Sequence, residues 1–354
     1  MRARVAQASL SKALNTTSKS ISNSRNMVYD GGILMSAEDG HLTLESTGPV
    51  RSIRYVVDAM VEGGGSTVVP GELCSDIVKG MPDDVVTIYD DGGKTAIECS
   101  NTVARLHALN PLAFPSFPVV NPSEMVEIPI DTISEMVEKT KRSMSKDYDR
   151  PLLRGLYIHS DGDMLVMEST DGNRASICKR KAGGVRFDAV IDGYMLTEAA
   201  SFMRDTMRIG VTKNQAILAS GPMTYVCRRL EGRFPNWGML LPSAFTTSVT
   251  FARSDVMAAL GRLKVIAVDN GLLRFDIGDD LTLSVTSPMS GEMVERVSAE
   301  IDGKPLAVGV YYKYVSDITT SATERITMLA DNSCNVVVFE ADGTRYIVGR
   351  RLLT

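Results

Sequence analysis

The chain has 354 residues, of which 44% are apolar, and its 38 basic and 43 acidic residues give a formal net charge of −5. A chain of this length can bury more than one core, and it exceeds the size of a usual single domain. The mild acidity excludes a protein coated on all sides with basic residues for nucleic acid, but it leaves the distribution of charge open.

The cysteine content and the longest uncharged stretch bound the class of protein further. Five cysteines are scattered without a CxxC pair, which predicts reduced thiols in a cytoplasmic protein. The longest informative uncharged run, Trp237 to Ala252, contains Pro242 and is rich in Ser and Thr. It is too short to cross a bilayer, so we expect no membrane association.

In chain order, the first third begins with a predicted helix from Val5 to Ile21, whose apolar residues recur at helical spacing. A predicted strand hairpin follows from Gly32 to Thr47, and a second helix opens at Gly71. A strand then ends at Arg105, and the prolines between Pro115 and Pro122 forbid a helix there. The pattern predicts helices and antiparallel strands in one domain.

The same order of elements recurs twice. Hairpins are predicted from Gly155 to Thr170 and from Gly271 to Thr286, and their first glycines lie 123 and 116 residues after the preceding copy. This period is the size of a domain and too long for a solenoid repeat. First helices are predicted from Ile133 to Met144 and from Asp255 to Ile266, second helices open at Gly193 and Tyr312, and strands end at Arg228 and Arg350.

The repetition predicts an α+β protein of three tandem similar domains. Each has two helices packed on antiparallel sheet and about eight strands. The expected domains are residues 1–122, 123–244 and 245–354.

Basic residues concentrate on the predicted helices, whereas many acidic residues lie at predicted hairpin tips. If helices line one side and hairpins the other, an acidic protein presents a basic surface to phosphate. Such a surface attracts the phosphate backbone of nucleic acid without reading bases. The predicted DNA-binding residues are Lys12, Lys19, Arg25, Lys79, Lys139, Lys141, Arg142, Lys146, Arg204, Arg262, Lys264 and Lys313.

The sequence offers little that would support catalysis. Gly92-Gly93-Lys94-Thr95 ends like a phosphate-binding loop, but Ile88 stands where that motif requires its first glycine. The segment therefore predicts a hairpin turn between two strands. His41, His107 and His159 lack the neighbours of a zinc site or an activated nucleophile. We therefore expect no enzyme activity, no metal and no cofactor.

The chain resembles the bacterial DNA polymerase III beta subunit, the sliding clamp, over essentially its whole length. The most specific match is the run Ser169 to Arg174, which is similar to the family's Ala-Thr-Asp-Gly-His-Arg signature. Leu10 to Leu14, Arg150 to Gly155 and Gly232 to Trp237 also match in order and spacing. The resemblance implies a head-to-tail homodimer, a closed ring of six domains that holds DNA and tethers the replicative polymerase.

The resemblance also implies a pocket for a short peptide motif of the DNA polymerase III catalytic subunit, the clamp loader and other clamp-binding proteins. The pocket residues carried over by position are Leu153, Thr170, Gly172, Asn173, Arg174, Ala175, Pro235, Met239, Leu240, Tyr311, Tyr314, Val348, Gly349, Arg350, Arg351 and Leu352. The residues implied at the dimer contact are Ala104 and Leu106, facing Ile266 and Ala267.

Several positions depart from the family pattern. Asn173 stands for the signature histidine, Met239 replaces a basic residue, and the chain ends in Gly349 to Thr354 instead of the usual Met-Pro-Met-Arg-Leu. These departures leave a second interpretation open, in which a divergent clamp binds peptides without encircling DNA.

Overall fold

The computed structural model describes residues 1–21, 31–118, 125–267 and 271–353. In these ranges it has six α-helices and 26 strands, so the predicted α+β class is confirmed. One order of elements occurs three times: a strand, a helix, four or five strands, a second helix and three strands. Arg25 and Pro122, which entered the predictions, lie outside the described residues.

The three repeats have the following bounds. The first contains β1 (Arg2–Ala6), α1 (Gln7–Thr17), β2 (Gly32–Glu38), β3 (His41–Thr47), β4 (Arg51–Asp58), β5 (Met60–Gly63), β6 (Gly65–Pro70), α2 (Gly71–Lys79), β7 (Val85–Asp90), β8 (Lys94–Cys99) and β9 (Thr102–His107). The middle one contains β10 (Val126–Pro129), α3 (Ile130–Thr140), β11 (Gly155–Asp161), β12 (Met164–Thr170), β13 (Arg174–Lys181), β14 (Asp188–Asp192), α4 (Gly193–Phe202), β15 (Thr206–Val211), β16 (Gln215–Ser220) and β17 (Met223–Leu230). The last contains β18 (Thr247–Ala252), α5 (Arg253–Leu263), β19 (Leu272–Ile277), β20 (Leu281–Ser287), β21 (Gly291–Val297), β22 (Ala299–Gly303), β23 (Leu306–Tyr311), α6 (Tyr312–Ser321), β24 (Arg325–Ala330), β25 (Val336–Ala341) and β26 (Thr344–Gly349).

Each repeat starts with a strand, so the prediction that each starts with a helix was wrong. In β1, buried Ala3 and Val5 alternate with exposed Arg2 and Arg4. This period of two suits a strand with one covered face, and it assigns Val5 to the strand instead of the helix. The predicted turn at Gly92-Gly93 is confirmed, because both glycines have positive φ between β7 and β8.

The chain divides into two compact units, and the first comprises Met1–Asp131 with Glu198–Arg229. It holds an antiparallel five-stranded sheet in the order β5-β1-β7-β8-β9. A second set of antiparallel pairings runs β6-β2-β3-β4-β17-β16-β15-β10. The pairing of β4 with β17 joins strands of the first repeat to strands of the middle repeat.

The second unit comprises Thr132–Thr197 with Leu230–Thr354. Its antiparallel pairings run β14-β11-β12-β13-β26-β25-β24-β18-β22. A four-stranded sheet has the order β21-β20-β19-β23. The pairing of β13 with β26 joins the middle repeat to the last one, so the strands of the middle repeat are shared between the two units.

Two glycines allow close packing at the start of the second helices. A Cβ at Gly71 would lie 2.3 Å from Ile21 Cδ1, and a Cβ at Gly193 would lie 2.1 Å from Met144 Sδ. The last repeat has Tyr312 at this position, and its hydroxyl donates to Leu260 O at 2.8 Å. The helix there is held by a hydrogen bond to α5 instead of a close backbone approach.

No helix in the described ranges combines the length and apolarity that a membrane crossing requires.

Candidate functional site

The signature turn of the middle repeat lies between β12 and β13 in the second unit. Thr170 Oγ1 donates to Arg174 O at 2.7 Å and accepts from Gly172 N at 3.0 Å. Asp171 Oδ1 accepts from Asn173 N at 2.9 Å and from Arg174 N at 3.1 Å. Gly172 has φ +93°, a conformation that glycine adopts without strain. Side chains of the turn therefore bond its own backbone and fix its shape.

Arg174 is the most connected residue of this turn. Its Nε lies 3.0 Å from Asp171 Oδ2, and its Nη1 lies 2.8 Å from Asp317 Oδ2 on α6. Its Nη2 donates to Arg142 O, and its guanidinium carbon lies 4.3 Å from the centre of the Tyr314 ring. Desolvation raises the pKa of Tyr314. Arg174 thus ties the turn to the segment after α3 and to α6.

The end of β26 lies beside this turn. Arg174 pairs with Val348 across the β13–β26 ladder, and Gly349 N donates to Asn173 O at 2.9 Å. Further along, the Arg351 guanidinium lies 4.1 Å from the centre of the Tyr311 ring. The Tyr311 and Tyr314 rings meet edge to face with centroids 5.5 Å apart. The structure therefore brings the signature turn, the chain end and the start of α6 together.

Exposed apolar side chains belong to the same unit. Met239, Leu240 and Leu352 are 78%, 54% and 89% exposed. Met239 and Leu240 belong to a turn whose Trp237 is buried in one apolar cluster with Ala175 of β13. Exposed apolar side chains of this kind suit an apolar partner segment.

The predicted pocket residues differ in what they can offer a partner. Thr170, Ala175, Val348 and Arg174 have covered side chains, at most 9% exposed. Arg174, Ala175 and Val348 nevertheless line a small cavity together with Arg142 and Asp317. That the four residues form part of the peptide pocket stays a prediction. The half-buried members are Leu153, Tyr311, Tyr314, Gly349, Arg350 and Arg351, and the exposed members are Gly172, Asn173, Pro235, Met239, Leu240 and Leu352.

Arg350 also has a structural role. Its Nη1 donates to Asp331 O at 3.0 Å and to Cys334 O at 3.2 Å, and its Nη2 donates to Ala307 O at 3.2 Å. A guanidinium that bonds three carbonyl groups anchors the end of the chain. It has few donors left for a partner.

Among the predicted DNA-binding residues, Lys139 is almost completely buried. It is 6% exposed, and its Nζ lies 2.5 Å from both Asp342 Oδ2 and Ser321 O. Burial opposes ionisation of Asp342, but hydrogen bonds from Lys139 and Thr323 hold the pKa of this carboxyl below its ordinary value. The helical pattern placed Lys139 on a polar face, whereas α6 and the β25–β26 turn cover it.

Four other predicted cations already have acidic neighbours. Lys141 pairs with Glu138, Lys313 with Asp317, and Arg142 lies 3.8 Å from Asp317. Arg262 binds Glu295 through Nε and Nη2 at 2.7 and 2.8 Å, and these hydrogen bonds lower the pKa of Glu295. Their positive charge is partly neutralised. The exposed remainder of the predicted set comprises Lys12, Lys19, Lys79, Lys146, Arg204 and Lys264.

The residues expected at a contact between chains are only partly accessible. Leu106 is 6% exposed and Ala267 is 9% exposed, so both lie mostly within their own units. Ala104 and Ile266 are half-buried. The strand that carries Ala104, β9, is an edge strand of the five-stranded sheet, and β21 is an edge strand of the four-stranded sheet.

Sequence reasoning missed the acids that hold the arginines of this site. Asp317 is 6% exposed and binds Arg174, and Glu198 lies 3.3 Å from Arg51 in the first unit. The signal was present in the repeat, since Asp76, Glu198 and Asp317 occupy the sixth position of α2, α4 and α6. An acid at one position in three copies predicts a shared role.

Comparison with known families gives two matches. Residues 1–118 match the model of the DNA polymerase III beta subunit, N-terminal domain. Residues 127–236 match the model of the DNA polymerase III beta subunit, central domain. Together the two models cover more than half of the chain.

Individual relatives extend the similarity to most of the chain. The beta sliding clamp of Staphylococcus aureus is 26% identical over 322 residues, which cover 86% of this chain and 85% of that protein. The beta sliding clamp of Synechococcus elongatus is 24% identical over 330 residues, or 88% and 87% of the two chains.

Two solved structures have the same fold. The DNA polymerase sliding clamp from Bacillus subtilis superposes with a TM-score of 0.93 at 20% identity and full coverage of both chains. The DNA polymerase III beta subunit from Thermotoga maritima gives a TM-score of 0.87 at 22% identity, again with full coverage of both.

Proposed function

The chain belongs to the DNA polymerase III beta subunit family, and from this premise we propose that it works as a DNA sliding clamp. Two copies form a ring around duplex DNA and tether the replicative polymerase. The chain is a non-catalytic processivity subunit in this proposal. Its three clamp domains are residues 1–122, 123–244 and 245–354, in line with the threefold recurrence of the element order.

The observation that carries this proposal is how the repeats are joined. In the first unit, β4 pairs antiparallel with β17, with Ser52 opposite Val226. In the second unit, β13 pairs antiparallel with β26, with Ala175 opposite Ile347. Both joints follow one rule: the third strand after the first helix of one repeat pairs with the final strand of the next repeat.

In the described part of the chain, two strands lack the second partner that the rule predicts. β21 is the third strand after α5 in the last repeat, and β9 is the final strand of the first repeat. Each pairs on one side only. An exposed strand edge is a template for pairing with another chain, and a head-to-tail contact closes into a ring when its rotation completes. Pairing β21 of one copy with β9 of a second copy would extend the rule to a closed dimer.

Accessible apolar side chains support this contact. Val103 on β9 is 42% exposed, and Val294 on β21 is 53% exposed. Ala104 and Ile266, which were predicted at the contact, are half-buried; Ala104 lies on β9, and Ile266 follows α5. We assign the contact to these four residues, with Leu106 and Ala267 packed behind them.

The exposed cations of the predicted set supply the attraction to DNA. A protein that meets the backbone with lysines and arginines binds any sequence, and neighbouring positions along the duplex are nearly equivalent in energy. The ring retains DNA by enclosing it, so its contacts can remain weak enough to slide.

The apolar surface near the signature turn is the proposed site for partner peptides. Met239, Leu240 and Leu352 would receive apolar side chains of the peptide, and the Tyr311–Tyr314 pair would form a wall beside them. The DNA polymerase III catalytic subunit and the clamp loader are the expected partners. Met239 in place of a basic residue predicts a weaker preference for acidic peptide positions.

Native mass spectrometry with particle imaging tests this function. We expect a two-chain species that images as an annulus. A single chain at every concentration would contradict the ring. That result would support the alternative of a clamp-shaped peptide-binding module, which the open edges of β9 and β21 disfavour.

A further inference from the structure

The two joints inside the chain are held by the same arginine arrangement. In the second unit, Arg174 binds Asp317 of α6 at 2.8 Å and donates to Arg142 O. In the first unit, Arg51 lies 3.3 Å from Glu198 of α4, and its Nε donates to Lys19 O at 2.9 Å. We call each set of arginine, helix acid and carbonyl an arginine joint.

The parts of the two arginine joints occupy matching positions. Arg51 and Arg174 are the first residues of β4 and β13, directly after the turn that follows β3 or β12. Glu198 and Asp317 are the sixth residues of α4 and α6. The accepting carbonyls come just after α1 and α3. The arrangement is therefore tied to the rule by which the strands pair.

The proposed pairing of β21 in one copy with β9 in another has the helix acid of an arginine joint but no arginine. The sixth residue of α2 is Asp76, which is exposed and forms no ion pair within the residues that the structure describes. The matching turn of the last repeat joins Ser287 of β20 to Gly291 of β21 through Pro288, Met289 and Ser290. It contains no arginine.

We infer that the contact between subunits closes without an arginine joint, and that Asp76 is a guanidinium site left vacant by the homodimer. This inference rests on the proposed ring. Hydrogen bonds between charged groups that lose water are among the stronger contacts in proteins. Without this pair, the subunit contact depends on the pairing of β21 with β9 and on the side chains that these two strands present.

An arginine at position 290 should form the missing ion pair with Asp76 of the other copy. In each of the three hairpins, the ladder pair nearest the turn is Thr47 with Ser52, Thr170 with Ala175, or Ser287 with Gly291. Arg51 and Arg174 directly precede the second residue of their pair. Ser290 has the same position before Gly291. Asp76 has the same side chain as Asp317, whose contact with its arginine is the shorter of the two. Ser290→Arg in one copy would therefore reach Asp76 of the other.

The test is a double-mutant cycle on dimer dissociation, measured by analytical ultracentrifugation. We expect Ser290→Arg to lower the dissociation constant about tenfold. Asp76→Asn should abolish this gain in the Ser290→Arg background and change the wild-type dimer by less than about twofold. Asp83→Asn, which removes another exposed acid of the first unit, is the matched control and should preserve the gain. Thermal melts establish that each variant is folded, and Met289→Arg provides a second arginine in the same turn if Ser290→Arg misfolds.

The outcomes separate this inference from the ring itself. A wild-type dimer that neither arginine variant tightens would overturn the vacant joint and leave the ring standing. A strong loss of wild-type dimer on Asp76→Asn would also overturn it, because Asp76 would already be engaged. If wild type and both arginine variants are monomers at every concentration, the ring and the inference fail together.

Discussion

Arg174 and Asp317 form an ion pair between residues 143 positions apart in sequence, with Nη1 2.8 Å from Oδ2. Only 11% and 7% of the two side chains are exposed. The pair joins the signature turn to α6, so the shape of the proposed peptide site depends on it. Removing one partner of a buried ion pair destabilises the folded state, because little water can reach the charge that remains.

Asp317→Asn should therefore destabilise the second unit by about 3–5 kcal/mol, the usual cost of removing one partner of a buried pair. Denaturant unfolding of the full chain measures this change. Glu340→Gln is the control, since the Arg345–Glu340 pair is 48% and 39% exposed and should contribute less than about 1 kcal/mol. Equal effects of the two variants would contradict a structural role for the Arg174–Asp317 pair.

Truncating the exposed apolar residues should weaken peptide binding without harming the fold. We expect Met239→Ala and Leu352→Ala each to reduce affinity for a Gln-Leu-x-Leu-Phe peptide about tenfold, because each removes apolar area that the complex would bury. Isothermal titration calorimetry gives the affinities. Leu112→Ala removes a side chain of the first unit that is 93% exposed and should bind peptide as the wild type does. Unchanged affinity in the Met239 and Leu352 variants would place the peptide elsewhere.

Exposed lysines on the first helices of the repeats, or in the segments directly after them, should govern DNA binding through charge. Combined Lys12→Gln, Lys146→Gln and Lys264→Gln substitutions should weaken binding to duplexes of different sequence to the same extent. The slope of log affinity against log salt should fall by about 0.9 for each lost phosphate contact. Fluorescence anisotropy over a salt series measures both effects. A control with Lys94→Gln, Lys213→Gln and Lys304→Gln removes the same charge from exposed hairpin and loop positions. If the slope of log affinity against log salt changes equally in both triple variants, Lys12, Lys146 and Lys264 have no special role in DNA binding.

Unlike substitution of the exposed lysines, Lys139→Gln should affect the stability of the protein and not its DNA binding. Because Lys139 is 6% exposed and bound to Asp342, its loss should destabilise the protein by about 3 kcal/mol and leave DNA affinity unchanged. Unfolding and anisotropy measurements on the same preparation test both statements. Reduced DNA affinity at full stability would restore the sequence-based prediction for this residue.

The His159–Glu168 pair should make stability depend on pH. His159 Nε2 lies 2.9 Å from Glu168 Oε1, and this hydrogen bond raises the pKa of His159 above its ordinary value of 6.5. A histidine with a raised pKa in the folded state contributes its full stabilisation below its ordinary pKa, and the contribution is lost as pH rises through the folded value. The melting temperature should therefore fall more in wild type than in His159→Gln between about pH 5.5 and about pH 8.

Glu168→Gln should flatten the same profile, because it removes the acceptor that stabilises the protonated ring. His107→Gln replaces an exposed histidine and should leave the wild-type profile intact. Parallel profiles for wild type and His159→Gln would mean that the pair contributes nothing to stability.

The sequence by itself determined the threefold recurrence of helices and hairpins, although not the strand that opens each repeat. Short apolar runs separated by glycine and aspartate specify hairpins locally, so the turns at Asp39-Gly40 and Gly92-Gly93 follow from neighbouring residues alone. The sequence also placed the candidate peptide residues in one neighbourhood, through resemblance to a family whose domain models match residues 1–118 and 127–236.

Only the tertiary structure decided which side chains of that neighbourhood remain available. Lys139 and Lys146 both belong to the predicted DNA-binding set, but Lys139 is covered by residues near positions 321 and 342, whereas Lys146 is exposed. Arg174 is held by Asp317, and Arg51 by Glu198, across more than a hundred residues. Local periodicity carries no information about contacts at such separations, because they depend on which strands pair. The pairing of β4 with β17 and of β13 with β26 therefore decided which of these charges are buried and which are neutralised, and it left open edges on β9 and β21.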